Sequence, residues 1–98
     1  MFGLSRPDGG RVSQSDWNRF LAERVTPRFP TGLTVFSGRG QWQGRDGRLV
    51  HERARIVLIV TEATPEAVAA LHGIREDYRD RFAQGAVGLI LSRSCALF

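Results

Sequence analysis

Apolar residues recur at helical spacing in the first third of the chain. Ser13 precedes Asp16 by three residues, the pattern of a capping box at a helix start. Pro27 and Pro30 then end the repeat, because proline supplies no backbone donor and disfavours a helical residue before it. We therefore predict a helix over 14–25. Its apolar stripe comprises Trp17, Phe20, Leu21 and Val25.

A second helical repeat follows Thr64, which is suited to cap it, with Pro65 at the first helical position. Gly85 is a natural stop for this helix. The pattern predicts a helix over 65–83. Its buried face comprises Ala67, Val68, Leu71, Ile74, Tyr78 and Phe82.

Four other segments have the composition of β-strands: 2–6, 32–36, 53–62 and 86–92. The element order is then β-α-β-β-α-β, which predicts an α+β fold of the ferredoxin-like sandwich type. That fold has a four-stranded antiparallel sheet with two helices on one face and its first and third strands in the interior. At 98 residues, we expect one domain over 1–98.

The glycine-rich stretch 38–47, "GRGQWQGRDG", resembles a phosphate-binding loop in composition only. A phosphate loop needs its glycines between a strand and a helix, whereas these lie between two strands. Asp46 and Gly47 are typical of a tight hairpin turn. The stretch therefore predicts a β-hairpin that turns at 44–47.

Pairing the two strands about that turn assigns alternate side chains to opposite faces of the sheet. The first face, which suits helix packing, carries Leu33, Val35, Ser37, Arg39, Gln41, Glu52, Ala54, Ile56, Leu58 and Val60. The second face, which we expect to remain open, carries Thr34, Phe36, Gly38, Gly40, Trp42, His51, Arg53, Arg55, Val57 and Ile59. The candidate ligand or interface residues on it are Phe36, Trp42, Arg53, Arg55, Val57 and Ile59.

Charged residues are unevenly distributed along the chain. The net charge is +4, and all fourteen basic residues are arginine. Five of them lie in the segment 39–55 of the predicted hairpin against two acidic residues, while the segment 62–81 of the second helix has five acidic residues against three arginines. If a small molecule binds, we expect it to be anionic or aromatic and to lie near Trp42, Arg53 and Arg55.

The predicted open face also suggests self-association. Phe36, Val57 and Ile59 would be left in water if helices cover only the first face. Two-fold pairing of identical faces is the commonest way for a small domain to bury such residues. We therefore expect a homodimeric binding or interaction module that uses this face.

Candidate catalytic chemistry is sparse. Glu52 is the best candidate acid or base, although we favour a cross-strand ion pair with Arg39 as its role. A small enzyme that uses Glu52 is thus one alternative function. His51, His72 and Cys95 lack the spacing of a metal site, so we predict no metal and no cofactor. We expect Cys95 to be buried.

A second alternative is an RNA-binding module, since the RNA-recognition motif has this topology. Its third strand needs aromatic residues for base stacking, and the segment "HERARIVLIV" has none. We therefore expect no nucleic-acid partner. The longest apolar run, 56–60, is too short to cross a bilayer, and the sequence predicts no signal peptide and a cytoplasmic location.

The runs "FGLSRPDGG", "VTPRFPTGLTV" and "GQW" resemble a bacterial family known only as a domain of unknown function, number thirty-five seventy-four. The resemblance covers nearly the whole chain and implies no activity. Similar proteins often carry an export segment, which implies an envelope location that this chain's sequence does not support. The matching positions include Phe2, Gly3, Leu4, Trp17, Phe20, Thr26, Pro27, Arg28, Phe29, Pro30, Gly32, Leu33, Thr34, Gly40, Gln41, Trp42, Glu52, Tyr78 and Phe82.

Overall fold

The computed structural model describes residues 1–97 and contains two helices and three strands. The helices are α1 (Gln14–Phe20), which continues as a π-helical segment over Leu21–Val25, and α2 (Pro65–Phe82). The strands are β1 (Phe2–Gly3), β2 (Thr34–Gln43) and β3 (Leu49–Leu58).

The start of α1 confirms the predicted cap. The Ser13 hydroxyl accepts a hydrogen bond from the Asp16 N–H at 3.0 Å. The helical run extends to Val25, as predicted, but its last turn widens, since the Thr26 N–H bonds the Leu21 carbonyl five residues earlier at 2.9 Å. Val25 is thereby buried in the core.

The start of α2 also follows the prediction, with Thr64 accepting from the Ala67 N–H and Pro65 in the first turn. Its end does not. The residue that leaves the helix in the left-handed conformation is Ala83, at φ 53°, rather than Gly85. The Gln84 N–H then bonds the Arg79 carbonyl and closes the helix.

The sheet is antiparallel, with three strands in the order β1-β3-β2. β3 is central, as its apolar run predicted, but β1 lies at an edge. The predicted strand over 86–92 is absent from the described residues, so the prediction of a four-stranded ferredoxin-like sandwich is wrong. The reason is the shortness of β1. Gly88 exchanges two backbone hydrogen bonds with Met1, and the neighbouring β1 offers only two ladder residues.

Both helices pack on one face of the sheet around an aromatic core. The Tyr78 ring lies 4.8 Å from the ring of Phe2 and 5.1 Å from that of Phe20, in edge-to-face geometry. Trp17 and Phe82 complete the cluster. Leu71, from the same helix as Tyr78, packs against this core, so α1 and α2 share one layer as predicted.

The loop of the hairpin between β2 and β3 is one residue longer than the two-residue turn expected at Asp46 and Gly47. Arg45, Asp46 and Gly47 form a three-residue loop, closed by the Gly44 N–H bonding the Arg48 carbonyl at 2.8 Å, with Gly47 at φ 79°. A two-residue turn at Asp46 and Gly47 would have given the other register. One residue of slip exchanges the two faces of a strand.

The observed register pairs Val35 with Val57 and Phe36 with Ile56. Val35 and Val57 pack against the core, so their face is the helix-side face, and the face that carries Phe36 and Ile56 is the outer face. The predicted division of β3 between the two faces is therefore wrong. Phe36 and Trp42 lie on the outer face, while Arg53, Arg55, Val57 and Ile59 alternate on the helix-side face.

Candidate functional site

A small N-terminal hairpin forms one wall of the candidate site. The Leu4 N–H bonds the Arg53 carbonyl at 2.9 Å, and the Val12 N–H bonds the Leu4 carbonyl at 2.7 Å. Ser5 and Arg11 form a further antiparallel bridge. The segment "PDGG" at 7–10, typical of a turn, joins the two arms, with Gly9 at φ 86°. Residues 4–5 thus lie between Arg11 and β3.

A cleft of about 630 Å³ lies between this N-terminal hairpin and residues 51–55 of β3, the half of the strand nearer the β2–β3 turn. Four arginines, one histidine and one carboxylate line it, together with small and apolar groups. The cleft is therefore strongly cationic. Its charged or titratable residues are Arg11, Arg39, His51, Glu52, Arg53 and Arg55. We call the four arginines and the space between them the arginine cleft.

Arg39 and Arg53 face each other directly across the ladder of β2 and β3. Like charges in this position disfavour the sheet by about 0.2–1 kcal/mol. Among residues 1–97, no carboxylate forms an ion pair with either guanidinium. The arrangement thus concentrates uncompensated positive charge on one face, and an anion bound between the two would relieve the repulsion.

Arg55 extends the same row of cations and is the best anchored of them. It is half-buried, and its guanidinium donates a 2.8 Å hydrogen bond to the side-chain oxygen of Gln14 at the start of α1. Ser37 lies opposite it on β2. A second cavity of about 390 Å³, lined by Ser37, Gly38, Arg39, Arg53 and Arg55, adjoins the cleft and shares three of its arginines.

Glu52 lies at the end of the cleft, beside β1. Its carboxylate accepts the Ser5 N–H at 3.3 Å and lies over Gly3, where a Cβ atom would come within 2.5 Å of a carboxylate oxygen. Gly40 is its partner across the ladder. The predicted ion pair with Arg39 is wrong, because the observed register places the two side chains on opposite faces.

Tyr78 lies beneath this region and is fully buried. Burial raises the pKa of its hydroxyl strongly; the nearby carboxylate of Glu52 raises it further, and the positive charge of Arg55 opposes the increase. The hydroxyl therefore stays neutral and donates a hydrogen bond to the Gly3 carbonyl. This bond fixes the edge strand on which the cleft wall is built.

The candidate residues predicted from sequence lie in three different places in the structure: the arginine cleft, the edge of the core and the outer face. Arg53 and Arg55 line the arginine cleft. Val57 and Ile59 pack against the core and do not form part of an open binding surface. Phe36 and Trp42 lie on the outer face, where they are 49% and 48% exposed.

Sequence reasoning missed Arg11 and Gln14 as members of the site, and it assigned Arg39 to an ion pair. The distance of Arg11 from the hairpin in sequence concealed that it lines the same cleft as Arg53. The turn-like composition of residues 7–10 was the available signal, since a reversal there returns the chain along the first strand. Cys95, predicted to be buried, is exposed.

No group of three or more His, Cys, Asp or Glu side chains within the described part of the chain is arranged to hold a metal ion. Over those same residues, no helix has the length and apolar character to span a membrane.

Comparison with known proteins gives one match. Residues 1–98 match the family described as "Protein of unknown function (DUF3574)". The chain belongs to the DUF3574 family. No curated protein and no solved structure matches this DUF3574 chain. The resemblance found in its sequence is thus confirmed, and the arginine cleft is the feature from which a function of this DUF3574 protein must be argued.

Proposed function

We propose that this protein is a binding module for a small anion that carries phosphate or carboxylate groups, held in the arginine cleft. The observation that carries the proposal is the direct opposition of Arg39 and Arg53 across the ladder without an intervening carboxylate in the described residues. Guanidinium groups offer paired donors that match carboxylate and phosphate oxygens. Arg55, fixed by Gln14, supplies a third donor group.

The same geometry favours an anion over an aromatic ligand or an RNA strand. The exposed aromatic residues Phe36 and Trp42 lie on the outer face, away from Arg53 and Arg55. Single-stranded RNA is bound by stacking bases on aromatic residues next to cations that hold its phosphates. Because the sheet separates these two groups, a base stacked on Trp42 could not place its phosphate between the arginines.

Binding is also favoured over catalysis. The Glu52 carboxylate, the candidate acid or base, is hydrogen-bonded to the Ser5 backbone at the end of the cleft. Its negative charge would repel an anion at that end, so the anion is placed near Arg39 and Arg53 instead. Glu52→Gln should therefore preserve or strengthen anion binding. A small enzyme that uses Glu52 would instead lose its turnover on this substitution.

Isothermal titration calorimetry of the full chain with inorganic pyrophosphate, and separately with citrate, tests the proposal and distinguishes the two anion types. Arg53→Ala should weaken binding of the preferred anion by about tenfold to a hundredfold, because a hydrogen bond to a charged group contributes about 1.5–3 kcal/mol. Arg39→Ala should have a similar effect. Arg45→Ala is the matched control, since Arg45 lies in the loop and outside the cleft lining.

Equal loss of affinity in Arg53→Ala and Arg45→Ala would show that only the overall charge attracts the anion, which contradicts a specific site. Failure of both anions to bind the unaltered chain at low salt would also contradict the proposal. The homodimer predicted from sequence is a separate proposal, and of the residues predicted for it only Phe36 lies on the opposite face of the hairpin.

A further inference from the structure

The outer face of the hairpin carries a row of exposed apolar side chains. Phe36, Ile56 and Leu58 are 49%, 41% and 52% exposed, and Trp42 is nearly half exposed. Phe36 and Ile56 are direct partners across the ladder, and Trp42 stands opposite Val50. We call these five residues the apolar outer patch. It differs from the face predicted from sequence, because Val57 and Ile59 belong to the core side.

Two glycines make this patch flat. A Cβ atom on Gly40 would lie 3.7 Å from the Trp42 ring, and one on Gly38 would lie 3.5 Å from the end of the Ile56 side chain. The Trp42 and Ile56 side chains therefore lie along the sheet over backbone that has no side chain of its own. A flat apolar sheet face packs best against another sheet at a spacing of about 10 Å.

The charge distribution also favours a second copy as the occupant. The arginines of the two strands, Arg39, Arg53 and Arg55, all lie on the helix-side face. Glu52 is the one charged side chain that the β2–β3 ladder places on the outer face, and it is drawn to the edge by its bond to Ser5. Two outer faces can thus approach each other without opposing like charges.

We propose that a second copy of this chain covers the apolar outer patch, with the two hairpins packed face to face about a two-fold axis. A fully covered aromatic side chain buries about 150–250 Å². Four of the five side chains are 41–52% exposed and Val50 is less exposed, so together they offer on the order of 400 Å² per copy, within the range of the largest patches found on monomers. The pair buries on the order of 800 Å², and side chains bordering the patch add to this.

That area lies below the roughly 1,200 Å² of a stable interface, so the dimer forms reversibly with concentration. The strand arginines of the cleft, Arg39, Arg53 and Arg55, lie on the helix-side face, away from the interface. Self-association is thus independent of anion binding, and either proposal can fail without the other.

Sedimentation velocity across a wide range of protein concentration tests the interface. The expected mass is twice 10.9 kDa at high concentration and approaches 10.9 kDa on dilution. Leu58→Asp should remain at 10.9 kDa throughout, because it places a carboxylate within the patch. Leu49→Asp is the matched control, since Leu49 is 53% exposed on the same hairpin but on the opposite face.

A monomer at every concentration, or a dimer that survives Leu58→Asp, would overturn the proposal. Loss of the dimer in Leu49→Asp as well would do the same. Far-ultraviolet circular dichroism of each variant identifies one that is simply unfolded, and Phe36→Ser then replaces it. Acrylamide quenching provides a measurement without mutation. Trp17 is buried in the monomer, so a decrease in quenching with concentration reports coverage of Trp42, whereas constant quenching contradicts it.

Discussion

The hydroxyl of Tyr78 donates a 2.5 Å hydrogen bond to the carbonyl of Gly3, a residue 75 positions earlier in the chain. The bond joins α2 to the edge strand β1. β1 has only two ladder residues of its own, so this side-chain bond and the packing of Phe2 on the Tyr78 ring hold the strand in place. The N-terminal wall of the arginine cleft follows directly from β1 and depends on the same contacts.

Tyr78→Phe should lower the free energy of unfolding by about 1–2 kcal/mol. The substitution keeps the ring and its aromatic contacts but leaves the Gly3 carbonyl without its side-chain donor. Urea denaturation followed by circular dichroism measures the change. Stability equal to that of the unaltered chain would show that water or another donor replaces the hydroxyl without cost.

Stability should also decrease at alkaline pH because of the same residue. The folded-state pKa of Tyr78 is raised above its ordinary value of 10.0, chiefly by burial. The neutral form is therefore favoured in the folded chain. Its contribution is fully present below pH 10.0, and it is lost as the pH rises above that value, because the unfolded chain then ionises first. Tyr78→Phe should flatten the pH dependence of the melting temperature above pH 10.0, and an unchanged slope would exclude Tyr78 as its source.

Ala83→Gly should stabilise the protein by about 0.5–1 kcal/mol. Ala83 adopts φ 53° at the end of α2, a conformation that costs an L-residue about 1–2 kcal/mol and costs glycine little. The larger backbone entropy of glycine in the unfolded chain offsets part of this gain. The control Ala86→Gly should give no gain, because Ala86 has no positive φ. Thermal melts of both variants decide the matter, and a lower melting temperature for Ala83→Gly would contradict the prediction.

The helices were predictable because their signals are local. Ser13 and Thr64 cap the helices that follow them, and the apolar spacing in each helix identifies its buried face. The end of α2 was not predictable in the same way. Ala83 accepts a strained conformation that the sequence would assign to glycine, and tertiary packing decides such positions.

The strands were less predictable because their pairing is not local. The pair Asp46 and Gly47 correctly indicated a hairpin, but one additional loop residue reversed which side chains share a face. The segment 86–92 has strand composition, yet forming a strand requires a neighbour of adequate length, which β1 does not provide. The basic character of the site was therefore predictable from Arg53 and Arg55, and its separation from Trp42 was not.

The hairpin separates its arginines from its exposed aromatic residues, and we propose that it binds an anion with the arginines. Proton–nitrogen correlation spectra that include arginine Nε–H and tryptophan indole signals, recorded during a pyrophosphate titration, test it directly. The signals of Arg39, Arg53 and Arg55 should shift together and saturate, while the Trp42 indole signal stays in place. A concerted shift of Trp42 with the arginines, or no saturable shift of any arginine in the cleft, would contradict the account.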